Sequence, residues 1–178
     1  MLELCRPLHP IVFNDLFCLR NKNVHTISVG VAKEADFDLH LEAVSLLSES
    51  EKYVPKIINR LRQESINVLG LEWYQNWNRN LPNWEYTPGN INIPVLLWIS
   101  NLLDWFDMEG YARARYQLLG NGSHWFPGCN ANLLDVDVSE SQLLEVLDGH
   151  INPKKVINKL RTLKEKFGDK AAKRLSKG

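Results

Sequence analysis

The chain has too few cysteines for a disulfide framework and no closely spaced pair to grip a metal. Cys5, Cys18 and Cys129 are odd in number and far apart, a pattern that suits a reducing compartment better than a stapled secreted domain. Glycine-rich phosphate loops of the GxxxxGKS/T or GxGxxG kind are missing, so no nucleotide cradle of those types is expected. Long apolar runs are missing too. The most apolar stretch, 93–103, contains Pro94, Ser100 and Asn101 and is too short to span a bilayer. The first ten residues show no basic segment followed by an apolar one, so no signal peptide is expected and a cytoplasmic protein is the default. There is no internal repeat and no low-complexity segment.

What is present is a folding composition with a concealed polarity. Hydrophobic residues make up 44% and aromatics 10% of the 178 positions, enough apolar area to offset the entropy of ordering. Formal net charge is zero, yet residues 154–178 hold ten of the twenty-one Lys and Arg and two of the twenty-one Asp and Glu. That tail carries a surplus of eight positive charges, and the body before it an equal negative surplus. A basic arm of this kind points to nucleic acid, an anionic membrane surface or an acidic partner.

Patterning predicts an α+β fold that is mainly helical. Ile27, Val29 and Val31 alternate with small or polar residues over 25–32, and 11–19 is a plausible partner strand. Over 36–43, Phe37, Leu39, Leu41 and Ala43 alternate with Asp38, His40 and Glu42. A helix starting near Asp36 competes with a strand there, and the strand reading is preferred. These segments would form a small N-terminal antiparallel β-meander.

Helical spacing follows. Ser48-Glu49-Ser50-Glu51 fits a capping box and Pro55 a first helical turn, ahead of a stripe of Val54, Ile57, Ile58 and Leu61. Leu69, Trp73 and Trp77 suggest a second helix. Residues 80–92 read as a loop. The clearest helix starts at Pro94 and presents Val95, Trp98, Leu102, Trp105 and Phe106. A return helix spans 111–119, a short one 140–147, and Asn152-Pro153 opens the last. The expected organisation is one compact α+β domain over 1–150, with a basic amphipathic helix over 151–178 packed on it.

Within 98–119, Trp98, Trp105, Tyr111 and Ala114 are spaced in a way that resembles a tetratricopeptide helix pair. Glu109 stands where that repeat has its turn glycine, and no second copy exists. The resemblance covers about a tenth of the chain and implies a packed antiparallel helix pair.

The last helix supplies the candidate nucleic-acid contacts. On a helical wheel Val156, Leu160, Leu163, Phe167 and Ala171 form an apolar seam. Lys155, Lys159, Lys166, Lys170, Lys173 and Lys177 share an arc beside it, about 33 Å long if the helix is continuous. Such a stripe would read phosphate charge and not base identity. A solvated basic face is the plain alternative, and Gly168-Asp169 leaves continuity open.

All six tryptophans fall between Trp73 and Trp125. Most are expected to be core. Trp84 and Tyr86, in the loop over 80–92, are the candidate partner-binding anchors.

Chemistry is poorly marked. Cys5 with His9, His124 with Cys129, and Asp38, His40 and Glu42 along one strand face have conceivable metal-ligand spacings, but each reads more simply as structure. Cys129 with His124 or His150 and Asp135 would make a thiol–imidazole–carboxylate set. Tyr111 and Arg115 form a packing pair with cation–π character.

The leading functional expectation is a non-enzymatic accessory subunit that binds a larger protein partner and lays its basic helix on nucleic acid. No cofactor or metal is expected. The alternatives are an inhibitor or immunity-type module with an acidic partner, and a small thiol enzyme using 124–150.

Overall fold

The computed structural model of the chain describes residues 1–121 and 127–168, which divide into two compact units, Met1–Ile66 and Asn67–Gly178. Among the described residues there is no sheet, only the isolated bridges Ile91–Cys129 and Leu134–Val138. The expected N-terminal β-meander is therefore absent, and the fold is helical. The last helix contributes Val156, Ile157, Leu160, Leu163 and Phe167 to the core of the second unit.

In the first unit, α1 (Leu2–Cys5) leads to α2 (Pro10–Leu19), where a strand was expected. Two local features decide for helix. His9 accepts the Ile11 amide through its ring nitrogen, and Pro10 occupies the first helical position, where its missing N–H costs nothing. Leu8, Val12 and Leu16 then recur every four residues and are buried. Residues 25–32 form no element despite their alternation, for no partner strand lies against them.

The third expected strand is helix α3 (Ala35–Ser45). The Asp36 carboxylate accepts the amides of Ala32 at 2.9 Å and Lys33 at 3.2 Å, tying the preceding turn to the helix. Its inward arc is Asp36 and Ala43, both buried, with Leu39 and His40 half-buried between them, the helical spacing, while Phe37, Leu41 and Val44 face solvent. A short 3-10 turn, Leu47–Glu49, occupies the expected capping box and opens α4 (Ser50–Leu69), which places Pro55 in its second turn. Cys5, Leu8, Val12, Leu16, Ala43, Val54 and Ile57 form the core.

In the second unit, Gly70 in the left-handed region (φ 82°) ends α4 and starts α5 (Leu71–Asn76). Helix α6 (Ile93–Phe106) is capped by Asn92, whose side chain accepts the Val95 amide at 3.2 Å. Asp107, left-handed at φ 52°, turns the chain into α7 (Glu109–Leu118). The expected helix pair is present, with Trp98 edge-on to Tyr111 at 5.9 Å and Arg115 over the Tyr111 ring at 4.8 Å. The most buried face of α6 is Ile93, Leu96, Leu97 and Ser100, not the expected Trp98–Trp105 stripe, which is half-buried at its flank.

Helix α8 (Glu140–Val146) begins at a capping box between Ser139 and Gln142, and α9 (Pro153–Phe167) at Asn152, which accepts the Lys155 amide. The α9 seam of Val156, Ile157, Leu160, Leu163 and Phe167 is buried against α6, α7 and α8. No helix among the described residues is long and apolar enough to cross a membrane.

Candidate functional site

The basic helix is held in place through its lysines. Lys159 is almost covered: its Nζ lies 2.5 Å from Asp104 Oδ2 and donates to Ser100 Oγ at 3.2 Å. Lys155 and Lys159 sit over the Trp73 ring, 4.5 and 5.6 Å from its centroid. Lys166 reaches Glu109 at 2.9 Å, and Lys164 donates to the Leu134 carbonyl. Arg161 forks between Asp135 (2.8 and 2.9 Å) and Glu140 (2.7 Å). The face of α9 turned outward is Lys154, Asn158, Thr162 and Glu165, which is nearly neutral.

Of the six stripe lysines, Lys155, Lys159 and Lys166 thus have partners inside the unit. Lys170, Lys173 and Lys177 lie outside the described residues. Burial and the neighbouring Lys159 charge push the Lys155 amine below its ordinary value. Because a long aliphatic stem can cover apolar surface while its head finds an acid or a ring, the arc beside the seam serves as the margin of an intramolecular interface.

The acids in this margin have shifted as their partners require. Lys166 and Arg113 hold the Glu109 carboxyl below the ordinary range, and Arg161 does the same to Asp135. A carboxylate with a lowered folded-state pKa contributes stability that is complete above its unfolded value and is lost as pH falls through the folded one. Acidification below the usual carboxylate range is therefore expected to speed amide exchange along α9 before it affects the α6 core. Hydrogen exchange at stepped pH, corrected for intrinsic rates, checks this order.

The aromatic loop is partly built as expected. Residues 84–86 and 88–90 form short 3-10 turns. The Thr87 hydroxyl lies 2.8 Å from the Trp84 carbonyl and 2.7 Å from that of Ile91. Trp84 is half-buried on Gly128, at whose left-handed backbone (φ 80°) a Cβ would stand 2.8 Å from the Asn90 carbonyl and 3.1 Å from the Trp84 ring. Tyr86 projects from this braced turn and is 77% exposed. The two residues differ in setting: Trp84 packs within the loop, and Tyr86 projects into solvent.

Two members of the thiol set read around Cys129 have other partners. His150 is buried, with Nε2 3.1 Å from the Trp77 carbonyl and Nδ1 accepting the Asn152 amide, while Asp135 is committed to Arg161. His124 lies outside the described residues. The metal readings fare similarly: Cys5 is a core residue, His9 caps α2, and no group of three His, Cys, Asp or Glu among the described residues is placed to hold a metal ion.

The sequence reading missed two features of the first unit. One is a buried pair, Asp15 with His40, at 2.5 Å. The other is the solvent face of α3, where Phe37, Leu41 and Val44 are 54%, 67% and 61% exposed. Their i, i+4, i+7 spacing was the available signal, but it pointed away from the core. No family model, no curated protein and no solved structure matches this chain, so its functional reading rests on this geometry.

Proposed function

We propose that the chain is a protein-binding accessory module, in which the outer face of α3 docks on a larger partner. The observation that carries this reading is the Phe37–Leu41–Val44 stripe, three large apolar side chains on one helical arc, all more than half exposed. Hydrophobic residues at i, i+4 and i+7 are the anchors by which an amphipathic helix enters a groove. A contiguous apolar patch of this kind marks interaction surfaces on soluble domains. Tyr86, on its braced loop, is a second anchor of the type common in interface hot spots.

Nucleic-acid contact through the basic helix is the rival. It draws least on Lys155, Lys159 and Lys166, since each would have to leave an acid or a ring to reach phosphate. Its remaining support is the charge of Lys154, Lys170, Lys173 and Lys177.

A benzophenone amino acid placed at position 41 of the full chain, expressed in its native cells, tests the docking reading. A discrete protein adduct is expected, and Phe37→Asp with Val44→Asp should remove it while the melting temperature stays within about 2 °C, as for exposed sites. No adduct, or one indifferent to those changes, would overturn the reading. Anisotropy of a labelled oligonucleotide in low salt examines the rival. Salt-sensitive binding abolished by Lys170→Glu, Lys173→Glu and Lys177→Glu would move the assignment to phosphate.

A further inference from the structure

The first unit contains a nucleophile-and-base arrangement that neither the docking face nor the basic helix uses. On α2, Asp15 is 3% exposed and accepts from His40 Nδ1 of α3 at 2.5 Å. An ionised carboxylate can only accept, so Nδ1 carries a proton, and in the neutral imidazole Nε2 keeps its lone pair. Nε2 is shielded from solvent and has no hydrogen-bond partner among the described residues. A buried acceptor in that state is incomplete.

A group that can complete it shares its cavity without bonding to it. Cys18 lies three residues after Asp15, on the same face of α2. Asp15, Cys18 and His40 all line one cavity of about 560 Å³, with Ile11, Ile27 and Val29 among its apolar walls. The Cys18 thiol is half-buried and forms no disulfide. Two carboxylates bear on the imidazole, Asp15 from α2 and Asp36 one turn earlier on α3.

We propose that Cys18, His40 and Asp15 form a thiol–imidazole–carboxylate site that accepts the acyl group of a small activated ester or thioester. Cys18 Sγ–H gives its proton to His40 Nε2, and the imidazolium is held by the Asp15 carboxylate through Nδ1–H. The thiolate attacks the acyl carbon. The Sγ–carbon bond forms, the bond from carbon to the leaving oxygen or sulfur breaks, and the leaving group takes the proton back from Nε2. The product is a Cys18 thioester and the free alcohol or thiol. A carboxylate that orients the base and a base that serves the nucleophile are the two relations such chemistry requires. The apolar walls suit a short acyl chain. This site stands independently of the docking face on α3, and either can fail without the other.

The test uses the full chain and its own thiols as references. Iodoacetamide alkylation is followed by peptide mass spectrometry from pH 5 to 9. Cys18 is expected to react at least tenfold faster at pH 6 than an ordinary cysteine peptide, with a rate that levels off below pH 7. Cys5, buried in the core with its thiol pushed up by burial, should stay unmodified and so report that the unit is folded. His40→Gln and Asp15→Asn should each remove the acid-side reactivity while Cys5 stays protected. p-Nitrophenyl acetate should release one equivalent of nitrophenol in a burst and add one acetyl group to Cys18, and Cys18→Ser should abolish both.

A Cys18 rate that climbs like an ordinary thiol's up to pH 8.5 in the unaltered protein would overturn the proposal, whatever the variants do. Elevated alkylation with no acetyl transfer would overturn it as well.

Discussion

Replacing Phe167 by alanine is expected to destabilise the second unit by about 3–5 kcal/mol, the range for deleting a fully buried aromatic side chain. Phe167 ends α9 and has no exposed surface. Its ring lies 5.9 Å from that of Tyr116 and carries the Arg113 guanidinium at 4.9 Å. One residue on, the Gly168 carbonyl accepts from Asn132 Nδ2 at 3.1 Å, and Asn132 Oδ1 accepts from the Tyr116 hydroxyl at 2.7 Å. Truncation thus opens a cavity and loosens a polar chain that joins α7 to the end of α9. Urea denaturation checks the magnitude. The midpoint should fall, and Phe167→Leu, which fills most of the volume, should recover more than half of the loss. An alanine variant within about 1 kcal/mol of the parent would mean that the end of α9 is not part of the cooperative unit.

The second large effect is expected at Trp73. It is 3% exposed, donates from its indole nitrogen to Asn101 Oδ1 at 3.0 Å, and meets the His150 ring edge-on at 5.8 Å. Trp73→Ala should cost about 3–5 kcal/mol. Trp73→Phe is the more informative change, because it keeps much of the buried area and removes only the donor. Asn101 is fully buried, and its amide nitrogen already has no partner among the described residues. Losing the oxygen's partner too should cost about 1–3 kcal/mol through that stranded polar group. Combining Trp73→Phe with Asn101→Leu should return part of the cost, since the stranded group is then gone. Chemical denaturation of the two single variants and the double variant gives the coupling directly. Strict additivity would refute the assigned role of the indole hydrogen bond.

The sequence and structure agree where independent signals coincide. Asn152 before Pro153 and the 156, 160, 163, 167 spacing both specify α9, and Asn92 before Pro94 marks α6 in the same way. The first unit failed because its apolar residues do not mark its interior. On α3 the inward arc includes the buried Asp36 and the half-buried His40, while Phe37, Leu41 and Val44 lie in solvent. A hydrophobic alternation at 37, 39, 41 and 43 therefore mixed the two faces and mimicked a strand. Burial of those polar groups is allowed by partners that a one-dimensional reading does not reveal: backbone amides for Asp36, and for His40 an aspartate twenty-five residues away.

The candidate residues divide along the same line. The lysine arc was legible as geometry, because helical angles follow from numbering alone. That Asp104, Glu109 and the Trp73 ring meet it required the packing of α5, α6 and α7. For Tyr86 the loop composition was signal enough to suggest exposure. Its companion Trp84 went the other way because Gly128, more than forty residues on, leaves room for the indole.

The ion pairs along α9 bear on the order in which the molecule is made. Asp104, Glu109, Asp135 and Glu140 leave the ribosome before Lys159, Arg161 and Lys166 do. The nascent second unit therefore carries an excess of negative charge until its final helix emerges, and that helix meets a surface already of opposite sign. Long-range attraction orients the encounter before any side chain touches. The charge polarity of the linear chain then acts as a folding guide, with the late, positively charged helix drawn toward the acids that pair with it.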